Sequence, residues 1–151
     1  MKRRGFSLLE ILLSISLIVI IGGIAISVMN PGGQLAKARN SQREAHLQTI
    51  LNGIRLNSSE NRTGWNCAAG PLPTSTPLRM ASPGTSTYDI ASCLVPVYIK
   101  TFPIDPSFSG AYYNDASDYD SGYTIQQNST TLQVTLTAPA AELGATVSIT
   151  R

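Results

Sequence analysis

Charge is scarce in this chain of 151 residues: Asp, Glu, Lys and Arg together make up 13%, about half the usual quarter of a soluble globular protein. That shortfall excludes a disordered polyampholyte and a nucleic-acid binder built on a basic face. Histidine is scarcer still. His46 is the one copy; with no cysteine near it in sequence, it reads as a surface or groove residue. The common active-site motifs are missing too: there is no G-x-S-x-G, no P-loop, no H-E-x-x-H and no dinucleotide-binding glycine pattern. Nothing argues for an enzyme, and no cofactor is required.

Eleven Lys and Arg stand against nine Asp and Glu, but the excess is not spread out. Lys2, Arg3 and Arg4 supply three of the eleven, and without residues 1–5 the acids outnumber the bases. The basic balance therefore belongs to a leader. From Phe6 to Met29 the only charged side chain is Glu10. A helix over that run is ~36 Å long at ~1.5 Å per residue, enough to cross a hydrocarbon core of ~30 Å with some tilt. A cleaved secretory signal fits less well, because the apolar run exceeds the usual ~7–15 residues and no small-x-small site follows it. The segment reads as a retained span, with Lys2-Arg3-Arg4 holding the N-terminus in the cytoplasm. Gly22 and Gly23, inside it, permit close packing or bending.

Two cysteines, Cys67 and Cys93, belong to no C-x-x-C and no metal-ligand set. On the exported side of a membrane a disulfide is expected. In the chain-entropy model, closing that loop stabilises a fold by roughly 3.5 kcal/mol.

The chain divides into residues 1–5, a leader; 6–29, the apolar helix; 30–33, a helix interruption at Asn30-Pro31-Gly32-Gly33; 34–58, an amphipathic helix; and 59–151, a globular head. The amphipathic half shows Leu47, Ile50, Leu51 and Ile54 at helical spacing, with Lys37, Arg39, Arg43 and Glu44 marking wetter positions. Residues 57–87, rich in Ser, Thr, Pro, Gly and Asn, read as a long loop. A short helix is predicted over 88–95, capped by Ser86 or Thr87 and ended near Pro96. Phe102-Pro103-Ile104-Asp105-Pro106 reads as a rigid turn. Strands are predicted over 122–126, 132–136 and 146–150, with Asn128-Ser129 turning between the first two. The fold class is α+β, a long N-terminal helix on a small antiparallel sheet.

Candidate chemistry is confined to two places. Asp115, Asp118 and Asp120 lie in a polar loop and offer oxygen ligands to Ca²⁺, although the EF-hand spacing is absent; a solvated turn uses the same residues. Glu10 is the second. A carboxylate near one end of a span costs ~2.5–3.5 kcal/mol on insertion scales if it sits deep, and calls for a cationic partner. No Lys or Arg of the run supplies one. A cut after Gly5 would, by creating an α-amine at Phe6.

Lys2-Arg3-Arg4-Gly5-Phe6-Ser7-Leu8-Leu9-Glu10 and the apolar stretch behind it resemble the class III signal of type IV pilins and type II secretion pseudopilins. The resemblance implies cleavage after Gly5 and methylation of the Phe6 amine by a membrane-bound prepilin peptidase, with Glu10 and Phe6 serving assembly. It further implies an inner-membrane precursor drawn from the lipid bilayer by an assembly platform and ATPase into an extracellular or periplasmic homopolymer. Leu94 to Ile99 followed by Phe102 to Pro106 resembles the helix and Pro-x-Asp-Pro turn of small pilins related to the major pseudopilin, whose calcium loop sits where Asp115, Asp118 and Asp120 stand. The expected function is a pilin. The alternatives are a pseudopilin of type II secretion and, from another class, a membrane-anchored extracytoplasmic binding module, which would need neither Gly5-Phe6 nor Glu10. No direct nucleic-acid site is evident.

Overall fold

The computed structural model describes residues 6–28 and 30–151. The leader, Gly5 included, and Met29 lie outside the described residues. The chain forms two compact units, Met1–Leu35 and Ala36–Arg151.

The first unit contains helix α1, Leu8–Val28. Ser7 starts it: its hydroxyl oxygen accepts the Glu10 backbone N–H at 3.3 Å, and its carbonyl accepts those of Glu10 and Ile11. A serine three residues ahead of a glutamate is a helix-starting pair, and a carboxylate in the first turn suits the positive end of the helix dipole. Ser14 and Ser16 donate their hydroxyls to the carbonyls of Glu10 and Leu12, at 2.7 and 2.8 Å. Those bonds let two polar side chains sit in an apolar helix without unpaired donors.

Helix α2 runs from Pro31 to Glu60, so the interruption expected over 30–33 is narrower than its sequence suggests. Proline costs nothing in the first turn of a helix, where its missing N–H would have no partner. Asn30, at φ 37°, accepts the Gly33 N–H on its side-chain oxygen at 3.3 Å, and capping of this kind carries the weak Gly32-Gly33 step into the helix.

From Ala36 onward, α2 belongs to the second unit. Its buried face is Ala36, Arg43, Leu47, Ile50, Leu51, Gly53, Ile54 and Asn57. The four aliphatic positions are those expected; Arg43 is not a wetter position but fully buried. Gly53 lets the helix come close, since a Cβ there would meet Ile99 at 3.0 Å.

One sheet faces this helix. Its strands are β1 (Leu78–Ala81), β2 (Thr87–Tyr88), β3 (Tyr112–Asp115), β4 (Asp118–Gln127), β5 (Val134–Ala138) and β6 (Val147–Thr150), in the order β2-β1-β4-β5-β6 with β3 also paired to β4. All pairs are antiparallel except β1 with β2. Alternation on β4 turns Tyr119, Ser121, Tyr123 and Ile125 inward, into one core with Leu47, Ile50, Leu51 and Ile54 of α2 and Leu136 of β5.

The predicted strands correspond to β4, β5 and β6. The long loop expected over 57–87 is shorter: α2 keeps 57–60 helical, and Leu78–Ala81 pairs with β4 despite its short apolar content. The helix predicted over 88–95 shrinks to α3, Ala91–Leu94, because Thr87–Tyr88 is taken by the sheet. Its N-cap is Ile90 with no side-chain cap bond, not Ser86 or Thr87. Tyr119 does that work from β4: its hydroxyl accepts the N–H groups of Ile90 and Ala91, at 2.9 and 3.1 Å. Cys67 and Cys93 form a disulfide with Cα atoms 5.3 Å apart, tying the Ser/Thr-rich segment to α3.

Candidate functional site

Two sets of residues could carry function: the N-terminal helix and the polar groups of the head. In α1, a 19-residue stretch, Leu8–Ile26, has a mean hydropathy of 2.6, and none of it is buried. Leu8, Leu9, Leu12, Ile15, Ile18 and Ile21 are each more than half exposed, and at helical spacing they point in all directions around the axis. A helix apolar on every side belongs in lipid or among other such helices rather than on one core. Its 21 residues span ~32 Å, matching a hydrocarbon core of ~30 Å.

Glu10 sits in the first turn of that helix, nearer the end than the middle. Phe6, 79% exposed, precedes the helix. Glu10 thus stands near one end of the apolar span, as its place in the sequence indicates.

In the head, Arg43 reaches across to Asp105 in a two-bonded pair, Nε to Oδ2 at 2.8 Å and Nη2 to Oδ1 at 3.0 Å, with both side chains fully buried. Arg43 also bonds Glu142 at 3.1 Å and Asn40 at 2.6 Å. Arg39 clasps the same Glu142 carboxylate, at 2.6 and 2.7 Å. The Ser107 and Phe108 N–H groups donate to Asp105 Oδ1. Burial pushes the Asp105 carboxyl up, but Arg43 and the two N–H groups reverse this and leave it below the usual carboxylate range. The hydrogen bond from Arg39, aided by Arg43, takes Glu142 down to about 2. These contacts bind α2 to the Pro103–Pro106 turn and to the β5–β6 connection. Among the described residues no buried side-chain N or O lacks a hydrogen-bond partner, so the cluster is complete as a structural clasp.

His46 joins the edge of that cluster. Its Nδ1 lies 2.9 Å from the Tyr123 hydroxyl. Burial lowers its pKa, partly offset by the Ile104 backbone and the Asp105 charge. It is a half-buried packing residue with no catalytic partner in reach among the described residues.

Asp115 and Asp118 face each other across the β3–β4 hairpin, and Asp120 stands opposite Tyr112. Asp115 accepts the N–H groups of Ser117 and Asp118 and the Ser117 hydroxyl. Asp118 accepts from Tyr112 and Asn114. Asp120 pairs with Arg79 at 2.9 Å. Each carboxylate is thus engaged locally, and among the described residues no three His, Cys, Asp or Glu side chains gather as a metal-holding group.

Sequence reasoning missed the Arg43–Asp105–Glu142 cluster. The signal within reach was an arginine in register with Leu47, Ile50 and Ile54, opposite an aspartate fixed between two prolines.

An apolar span behind a basic leader, with one early carboxylate, on an α+β head defines a membrane-anchored precursor of pilin-like architecture. Comparison with known families agrees for the N-terminal segment: residues 1–26 match the family model described as the prokaryotic N-terminal methylation motif. That motif is the class III signal of type IV pilin-like and pseudopilin precursors, which are structural subunits rather than enzymes, and it implies processing by a prepilin peptidase. The match covers 26 of 151 residues, leaving the head outside it. Neither the curated proteins nor the solved structures gave a match to this chain.

Proposed function

We propose that this chain is a structural subunit, a pilin, of a type IV pilus-like filament. On this reading a prepilin peptidase cuts after Gly5 and methylates the Phe6 amine, and an inner-membrane platform and its ATPase move the subunit from the bilayer into a homopolymer outside. The observation that carries this is the conjunction at the N-terminus: a methylation motif over residues 1–26 on an apolar helix left uncovered among the described residues.

The physics of assembly follows from α1. Lipid and a bundle of like helices are equivalent solvents for its apolar side chains, so leaving the membrane for a filament core costs little hydrophobic free energy. Glu10 supplies the direction. At an effective dielectric of 20 and a separation of 4 Å, a neighbour's Phe6 ammonium attracts it by ~4 kcal/mol, enough to balance the insertion cost of a carboxylate.

Glu10→Leu tests this. A plain membrane anchor loses nothing by the change, since its helix becomes more apolar. A filament subunit loses the partner of the Phe6 amine at every repeat, so sheared-filament yield should collapse while membrane-fraction protein is unchanged. Glu10→Asp should fall between. Undiminished filaments from Glu10→Leu, or mature protein whose mass does not begin at a methylated Phe6, would overturn the proposal.

A further inference from the structure

The two ends of strand β4 carry complementary chemistry. At its C-terminal end, Gln127 borders an open groove of about 700 Å³ walled by Leu51, Ile54, Trp65, Leu72, Leu132 and Val134. Leu132 is 66% exposed. The charged side chains lining the groove are Arg55 and Arg151, and no Asp or Glu is among its lining residues. Among the described residues neither guanidinium has an ion-pair partner, whereas Arg39, Arg43 and Arg79 all do.

At the N-terminal end of β4 stands the β3–β4 hairpin. Asp115 and Asp118 are exposed there, and their hydrogen bonds go to neutral groups of the hairpin itself. Tyr112, 43% exposed, stands beside them. Asp118 and Gln127 bound β4, which puts hairpin and groove roughly 30 Å apart at ~3.4 Å per residue. They cannot meet within one copy.

We propose that the β3–β4 hairpin of one copy docks in the groove of the next, with Asp115 and Asp118 against Arg55 and Arg151 and Tyr112 on the apolar wall at Trp65 and Leu132. The contact joins two different patches, so it is head-to-tail and repeats along a polymer. It rests on the filament reading above, and adds to the helix bundle a head contact that sets the register of neighbours. Because the charge pairs lie at the rim, they orient the approach and weaken with salt.

The test uses the full-length chain assembled from its membrane. Arg55→Glu with Arg151→Glu should lower sheared-filament yield about tenfold at low salt by setting acid against acid. Adding Asp118→Lys should restore most of that loss. Leu132→Cys together with Asn114→Cys should give a disulfide ladder in filaments without reductant, and neither alone should. Trp65, the one tryptophan, should change its fluorescence on assembly. Filaments of normal yield in the double-glutamate variant, with no ladder from the cysteine pair, would overturn the docking contact and leave the filament reading standing. No filaments from the unaltered chain would overturn both. A Trp65 response to dodecanoate in the monomer, without a ladder in filaments, would assign the groove to a small anionic amphiphile and overturn the contact.

Discussion

Helices α1 and α2 are neighbours in sequence and face opposite problems. The apolar span of α1 is exposed on every side among the described residues, while α2 from Ala36 on shows one buried face and one wet one. Each contains a charge that its surroundings make costly. In α1 it is Glu10, in the first turn, where the backbone dipole eases it. In α2 it is Arg43, stripped of water and met by Asp105, Glu142, Asn40 and Ser107. Burial within a fold demands that every partner be supplied by the chain itself. A helix destined for lipid or a polymer leaves that supply to other molecules.

The largest expected effect sharpens this contrast. Arg43→Ala leaves Asp105 buried without its cation, a loss of about 3–5 kcal/mol. Arg43→Met with Asp105→Leu should recover much of it, because no charge is then left unpaired. Ile18→Ala, in the uncovered helix, should change the stability of the head by less than ~0.5 kcal/mol. Thermal unfolding of the detergent-solubilised chain, followed by near-ultraviolet circular dichroism, checks all three. Equal melting of the Arg43 and Ile18 variants would break the comparison.

Acid should come next. Asp105 and Glu142 are both held below their ordinary values, Glu142 at about 2. In the unfolded chain they bind protons near pH ~4, so the unfolded state is the more protonated one just below that pH. The clasp therefore stabilises fully above about pH 5, and its contribution fades as pH falls towards 2. The melting temperature should drop through this window, and Glu142→Gln should flatten part of the slope. A head whose melting is constant from pH 5 to 2 would contradict the clasp.

The smallest effect belongs to the β3–β4 hairpin. Asp115→Ala removes the cap of the exposed turn between β3 and β4, strands that take up most of the loop expected there, and should lower the melting temperature by about 2 °C or less. Calcium discriminates between the uses of this loop. Carboxylates that hold Ca²⁺ would raise the melting temperature with concentration by mass action. Carboxylates engaged as cap, hairpin acceptor and partner of Arg79 should leave millimolar calcium without effect.

Some of this molecule was open to reading because the physics is local. The Leu47–Ile54 spacing marks a buried helix face wherever that helix packs. Alternation over 132–136 marks a half-buried strand, close to the observed Val134–Ala138. Strands β1 and β2, like the hairpin strand β3, were hidden for the opposite reason. Leu78–Ala81 is four residues long and Thr87–Tyr88 two, and neither shows a period until β4 offers hydrogen bonds. Tyr119 reads as one strand residue among others, yet from β4 it caps α3.

What the amino-acid sequence determined by itself is the solvent of each segment. An uninterrupted apolar run must leave water whatever it packs against, and a chain with two cysteines can close only one internal disulfide. The tertiary structure alone decided which polar groups are buried together. Arg43 and Asp105 are 62 residues apart, and only the packing of α2 against the Pro103–Pro106 turn turns a surface-type residue into half of a dry ion pair. The cost of burying a charge depends on its partner, and the partner is a property of the fold.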